Sequence, residues 1–382
     1  MPNHRISREK RALILHLLVE GNRINGICRL LKVGKPSLLR FLRECGEACE
    51  DWHDRHVRDV RIKYLALDES WSYIFKHKER MSEEEKLWHP DWGDSWVWVA
   101  IDRFSKALIS WLVADRKQPS CVQFCADLAQ RVEGDVTVAT DALSSYEWGI
   151  DSTLGSRASH VIEMKDYDNI GTKPEEGDNP ADHVSTTKRR ARTGKPNLKL
   201  ATTSHIERLF LTVRQDNKRC ARKTQANSKK IENHQAVMSV HLFVYNVCRK
   251  HESIKTAPLH ELGIIDKPWS LEQVVGMTDQ YLRTREEAEF EAAFNGKPQE
   301  SVSRFAKWKP RIGPRTYKPR KPLTPWYLDP ESGGPNPPHE LRKPGIQYDD
   351  GNVRFDAHDE TPDYDPDDDS LGPRIGDWEG GL

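Results

Sequence analysis

Hydrophobic positions divide the chain into a helical beginning, a strand-rich middle and a helical end. Leu13, Ile14, Leu17 and Leu18 recur at the 3.6-residue period of a helix, and Gly21-Asn22 breaks it. Ile24, Ile27, Cys28 and Leu31 form a second short stripe, and Leu38, Leu39 and Leu42 open a third. Lys32-Val33-Gly34 makes the turn between them, and Pro36 falls in the first turn of the third helix, where its missing N–H costs little. Residues 61–141 then switch to short apolar runs. One ends at Asp68-Glu69, and two more cover Trp96–Ile101 and Ala107–Val113, joined by a link short enough for a hairpin. Pro119–Val132 reads as a helix, and Val136–Thr140 as a fourth strand ending in Asp141. The order β-β-β-α-β with continuous apolar strands predicts an α/β fold, a mixed sheet covered on both faces.

Residues 142–203 show no clear period and read as a loop-rich insertion. Helical spacing returns at Ile206, Leu209, Phe210 and Val213, and again over about 229–251. Residues 252–293 are expected to be helical in part. From about residue 296 the chain is Pro-rich and basic, then acidic, with too few apolar residues to bury a core. This tail, 296–382, is expected to be disordered. The domain expectation is therefore 1–56 helical, 61–280 α/β, then the tail.

Charge changes the picture. The 59 Lys/Arg and 59 Asp/Glu sum to zero, but they are sorted along the chain. Tyr348–Leu382 holds 12 acids and two arginines, whereas Thr186–Lys230 holds 14 Lys/Arg against Glu207 and Asp216. Arg304–Lys321 adds eight Lys/Arg and no acid. A basic body with an acidic tail is the asymmetry of a protein that meets a polyanion, although a charge run is as often plain solvated surface. The mean hydropathy is −0.77, and no window approaches the ~18 apolar residues that span a bilayer, so no membrane partner is expected. The start, MPNHRISREKRALIL, has no long apolar core and does not read as a secretory signal. The seven cysteines are scattered and odd in number, which suits a reducing compartment.

The first three helices have helix-turn-helix spacing. In that motif the last helix lies in the major groove, so Lys35, Ser37, Arg40 and Arg43 would face phosphates and base edges. The competing reading is a three-helix packing unit without DNA contact. Such turns often carry Gly where Lys32 stands, so another geometry is required here.

Three acids are placed for chemistry. Asp68 and Asp141 end strands, and Glu207 sits beside the apolar face of a later helix. Open α/β sheets put reactive groups at strand ends. Three carboxylates from separate elements can hold two Mg²⁺ ions, which take oxygen ligands and can cleave or join phosphodiesters. Each acid alone is more often a turn-former or cap; the three together are harder to dismiss. Glu69 points to the opposite side if the strand continues, and is the weaker candidate. Arg214 and Lys218 lie on roughly the Glu207 face and could bind the strand being cut. Cys45, Cys49, His53 and His56 share one helix face, but i to i+8 spans ~12 Å, so one zinc could use only two of them.

Several stretches resemble a known family, the DDE transposases of bacterial insertion sequences, specifically the insertion-sequence-one type. They are RALILHLLVEGNRINGICRLLKV near the start, LDESW at 67–71, DSWVWVAID at 94–102, TDALSSY at 140–146 and SHIERLFLTVRQDNKRCARKT at 204–224. SKKIENH at 228–234, VYNVCRKH ending at His251 and KPWSLEQVV at 267–275 extend it. The resemblance implies an RNase H-like catalytic domain in which Asp68, Asp141 and Glu207 are the DDE acids binding two Mg²⁺ or Mn²⁺ ions. It implies that the helix-turn-helix reads the terminal inverted repeats, and that Lys218, Arg219, Arg222 and Lys223 contact the DNA backbone. The implied reaction is hydrolytic nicking of the element ends, then attack of the freed 3′-hydroxyl on target DNA. The implied protein is a homo-oligomer on double-stranded DNA, cytoplasmic and nucleoid-associated in a prokaryote. Competing readings are a domesticated, inactive DNA-binding protein and a stand-alone RNase H-like nuclease.

Overall fold

A computed structural model describes residues 6–167, 184–221 and 224–294, all of which fall in one compact unit. The expected tail lies outside the described residues. Three helices open the chain: α1 (Arg8–Val19), α2 (Ile24–Leu31) and α3 (Lys35–His56). Ser7 caps α1, accepting from Lys10 N. Between α2 and α3, Lys32 itself adopts the left-handed conformation (φ 51°, ψ 48°), so a lysine does what glycine usually does at this turn.

The strands follow as β1 (Tyr64–Ile74), β2 (Gly93–Asp102) and β3 (Leu108–Ala114), with a short helix α4 (Glu83–Trp88) before β2. Then come α5 (Gln118–Arg131), β4 (Val136–Thr140), α6 (Ser144–Thr153), β5 (Ala158–Tyr167) and β6 (Val184–Ala191). The helices α7 (Ser204–Asp216), α8 (Ile231–Val247), α9 (Pro258–Glu261) and α10 (Leu271–Phe294) complete the described chain. The six strands form one sheet in the order β3-β2-β1-β4-β5-β6. β1, β4 and β5 are parallel, whereas β2, β3 and β6 run antiparallel to their neighbours.

Strand alternation sends successive side chains to two cores. Leu65, Leu67, Trp98, Ala100 and Ile109 pack under α5 and α6, in a core continuous with α1, α3 and one side of α8. Ala66, Val97, Val99, Ile101 and Leu108 pack against Ile206, Leu209, Phe210 and Val213 of α7 and Met238 and Leu242 of α8. The sheet is thus covered on both faces.

Two expectations are corrected. First, β1 does not end at Asp68-Glu69. It continues to Ile74 as a hairpin with β2, because SWSYI is itself strand-forming and pairs through Ile74↔Gly93. Second, residues 142–203 are not simply loop. They contain α6, β5 and β6. β6 is an edge strand, VSTTKRRA, held by backbone pairing to β5, so it lacks the apolar signature of a buried strand. The opening helices also share their core with the sheet. Gly46 of α3 meets Ala236 of α8 so closely that a Cβ there would lie 2.7 Å from Ala236 Cα. Arg11 of α1 grips Asp279 of α10 with both terminal guanidinium nitrogens, at 2.5 and 3.1 Å. Among the described residues no helix is long and apolar enough to cross a membrane.

Candidate active site

Asp68 and Glu69 leave opposite faces of β1. Asp68 shares the face of Ala66, towards α7, and Glu69 shares the face of Leu65 and Leu67, towards α6. The parallel register Leu65↔Val138 and Ala66↔Ala139, carried two residues on, brings Asp141 level with Asp68. β4 stops at Thr140, so both acids sit where the parallel pairing ends and the sheet opens. Oxygens of Asp68, Glu69 and Asp141 lie within 4.8 Å of one another. Glu207, in the first turn of α7, stands outside that close group, but its charge reaches Asp68.

The electrostatics are those of crowded acids. Burial pushes the Asp68 carboxyl well above the usual range, and the charges of Glu69, Asp141 and Glu207 push it the same way; the Glu69 N–H, 2.8 Å from Oδ1, opposes them. Burial also raises Glu69, followed by Asp141. Glu69 is nonetheless well held. Its side chain is 1% exposed, Arg116 donates to Oε1 at 2.7 Å and Tyr146 to Oε2 at 2.8 Å. Arg116 is itself seated 4.6 Å from the Trp96 ring centroid. Asp141 Oδ1 accepts from Leu143 N at 3.0 Å, which shapes the entry into α6. Glu207 is more open, at 37% exposure, and Lys165 of β5 and Thr203 both donate to its Oε1.

A relay fixes the end of β4. Arg192 donates to His160 Nδ1 at 2.7 Å, which leaves Nε2 as the protonated nitrogen, 2.8 Å from Thr140 Oγ1. Thr140 in turn donates to the Asp141 carbonyl at 2.7 Å.

The donor set fits hard divalent cations. All the ligands are carboxylate oxygens, and two cationic side chains, Arg116 and Lys165, answer Glu69 and Glu207. The cysteine–histidine stripe of α3 has other work. Cys45 and Cys49 are fully buried, His53 Nε2 lies 3.1 Å from Leu108 O, and His56 stacks on Trp52.

The expected DNA contacts are dispersed. Lys35 and Arg40 are exposed, and Ser37 half-buried, on the first turns of α3. Arg40 pairs with Glu44 at 2.9 Å, and Arg43 donates to Asn233 Oδ1 at 3.0 Å, tying α3 to α8. Arg214 is half-buried near the end of α7, and the exposed Lys218 donates to Gln215 O at 3.0 Å. Arg219 is 8% exposed and donates from Nε to Ser228 Oγ at 2.8 Å, and burial lowers its pKa to about 10. Its guanidinium therefore braces the chain between α7 and α8. Arg222 and Lys223 lie outside the described residues. Lys35, Lys218 and Arg219 line one groove; Ser37, Arg40, Arg43 and Arg214 do not.

The sequence reading missed Arg116, Tyr146, Lys165 and the His160 relay. Tyr146 lies inside TDALSSY, but nothing in the linear pattern pairs it with Glu69.

No protein-family model matches the chain, and no curated protein matches it. Solved structures are similar at low scores. One is a piggyBac transposase synaptic complex with hairpin DNA, at 9% identity and a TM-score of 0.37, over 81% of this chain and 78% of that one. Another is the Mos1 mariner paired-end complex with Mn, at 10% identity and a TM-score of 0.16, over 41% of this chain and 60% of that one. A Mos1 transposase paired-end complex with the left transposon end is similar at 13% identity and a TM-score of 0.15, over 38% of this chain and 57% of that one.

Proposed function

We propose that this protein is a divalent-metal-dependent DNA transposase of the insertion-sequence-one type, with an RNase H-like catalytic domain. One observation carries the reading. Asp68 on β1 and Asp141, just past the end of the adjacent parallel strand β4, are level, and Glu207 is presented by a helix packed on the same face. The strand order, with three antiparallel strands β1–β3 followed by β4 and β5 parallel to β1, is the layout that such a domain needs.

In this reading Asp68, Asp141 and Glu207 are the catalytic acids and hold two Mg²⁺ or Mn²⁺ ions. The bound ions would supply the activation of the attacking water or 3′-hydroxyl and the stabilisation of the departing oxygen. The chain's own residues set the acids in place. Arg116 and Tyr146 fix the Glu69 carboxylate, Lys165 balances Glu207, and the Arg192–His160–Thr140 relay anchors the backbone of Asp141. Helices α1–α3, with a three-residue turn before α3, act as a helix-turn-helix reader of the terminal inverted repeats, presenting Lys35, Ser37, Arg40 and Arg43. Arg214, Lys218, Arg222 and Lys223 contact the DNA backbone beyond the catalytic helix, and Arg219 shapes that segment from beneath. The protein works as a homo-oligomer on its terminal repeats and target DNA.

The test is an end-cleavage and strand-transfer assay on duplexes carrying the gene's own flanking sequence, with and without Mg²⁺. Asp68→Ala, Asp141→Ala and Glu207→Ala should each abolish cleavage while DNA binding survives. Near wild-type cleavage by any one of them would remove that residue from the site, and a wild type that never cuts would overturn the reading.

A further inference from the structure

A groove of about 770 Å³ lies between the opening helices and the segment joining α7 to α8. One wall is the α1–α2 turn, α2 and the start of α3; the other is Asn217–Arg219 with residues of the stretch Gln225–Asn233. The walls are far apart in sequence. Six exposed cations line the groove: Arg23, Arg29 and Lys35 on one side, Lys218, Lys229 and Lys230 on the other. Among the described residues, no acidic one lines it. Among the described residues, no carboxylate lies within ion-pair distance of any of the six. Asn25 and Gln225 add neutral donors.

Several arginines elsewhere are paired. Arg11, Arg40, Arg61, Arg116, Arg131 and Arg192 each hold a carboxylate. Six unopposed positive charges in one concavity repel one another, and low-dielectric walls focus their field outwards. Such an arrangement costs stability in the free protein and is favourable once a polyanion arrives. Its shape is fixed from both sides. At Gly21 (φ 77°) a Cβ would lie 3.0 Å from Gln215 O, so the α1–α2 turn rests on the end of α7. Arg43 joins α3 to α8 through Asn233, at 3.0 Å. The buried Arg219 braces the second wall through Ser228.

We propose that this groove is a composite binding site for the phosphodiester backbone of DNA, closed only when α1–α3 are docked on the catalytic body. It rests on the reading of DNA as the ligand, and goes beyond it in assigning Arg23, Arg29, Lys229 and Lys230. These side chains join the two halves of the molecule on one stretch of DNA. A backbone presented to the N-terminal helices is thereby also held against the segment that follows the Glu207 helix.

The experiment uses the full chain and a labelled 30-base-pair duplex, with affinity read by fluorescence anisotropy across a salt series. A groove variant, Arg29→Ala/Lys229→Ala/Lys230→Ala, is set against a control with the same charge change outside the groove, Lys10→Ala/Lys63→Ala/Lys267→Ala. All six positions are exposed, and thermal melts of both variants should match wild type. The groove variant should bind at least tenfold more weakly, with a slope of log K against log salt shallower by about 0.9 for each phosphate that is no longer neutralised. The control should stay within twofold of wild type. Arg29→Lys/Lys229→Arg/Lys230→Arg should keep the affinity, and a melt shift in the alanine variant would leave this charge-conserving comparison, with single alanine changes, to decide. Equal losses in groove variant and control would overturn the proposal, because net charge alone would then explain binding. Loss of binding to anionic vesicles with DNA affinity unchanged would overturn it as well. If the wild type binds DNA through the groove but never cuts, the groove stands and the transposase reading falls. If it cuts, and the groove variant binds as wild type, the groove falls alone.

Discussion

Tyr146 donates its hydroxyl to Glu69 Oε2 at 2.8 Å, from the far side of the sheet to Glu207. Burial holds the tyrosine well above its ordinary pKa, and the Glu69 and Asp68 charges add to it, so the hydroxyl remains a donor. Arg116 occupies the other carboxylate oxygen. Tyr146→Phe therefore leaves a buried carboxylate oxygen unpaired, which costs about 1.5–3 kcal/mol for a charged acceptor. Urea unfolding without metal should show that loss. With millimolar Mn²⁺ the loss should shrink, because the Glu69 carboxylate has an oxygen within 4.8 Å of Asp68 and Asp141 oxygens and a cation there offsets its unpaired charge. An unchanged midpoint would mean that Glu69 does not depend on this bond.

Lys165 and Glu207 form the other cation–acid pair at the site. The ammonium must be displaced or shared when a divalent ion takes Glu207. Lys165→Met should therefore tighten Mn²⁺ binding, on the order of tenfold for the ~1.4 kcal/mol of competing attraction removed. The metal-induced rise in melting temperature, titrated with Mn²⁺, reads this without any activity assay. Weaker binding in the variant would show instead that the lysine positions Glu207 for the ion.

Much of the fold is legible in the chain, and what is not has a physical reason. Continuous apolar runs give away β2, β3 and β4, because buried strands need apolar side chains on both faces. β6 stays hidden because an edge strand is stabilised by backbone pairing, and TTKRR carries no such pattern. Asp68, Asp141 and Glu207 stand out because each ends or borders an apolar run. Arg116 and Tyr146 do not, since only the sheet register and the packing of α6 bring them to Glu69. The groove is invisible for the same reason. Its two walls are separate in sequence, and only one of them falls in a basic block of the chain.

Acid should destabilise the fold before most carboxylates titrate. Burial lowers His234 to about 3, and His160 and His241 to about 4, against 6.5 in the unfolded chain. The unfolded state therefore takes up these protons first as the pH falls below 6.5. Stability is full above that value and declines from about pH 6.5 towards pH 4, by up to about 1.4 kcal/mol per pH unit for each histidine. Melting temperatures taken between pH 7 and pH 5 should fall steadily, and His234→Gln should flatten part of the slope. A flat profile over this range would mean that these rings become protonated in the native state.

Two glycines should respond to alanine in opposite directions. At Gly26, inside α2, an added methyl would have nothing within 4 Å of it, so Gly26→Ala should gain up to ~1 kcal/mol of helix propensity. Gly46, inside α3, would place its new methyl 2.7 Å from both Ala236 Cα and Ala236 O and 2.9 Å from Ala236 Cβ. Two of those three atoms are backbone, so one helix must move. Overpacking of this kind costs about 1–3 kcal/mol, which outweighs the same propensity gain. Gly46→Ala should thus lower the melting temperature while Gly26→Ala raises it. Because the start of α3 forms part of one wall of the basic groove and α8 contributes Asn233 to the other, the Gly46 variant should also bind DNA more weakly at temperatures where it remains folded. Stability lost with DNA affinity intact would show that the groove does not need this helix packing.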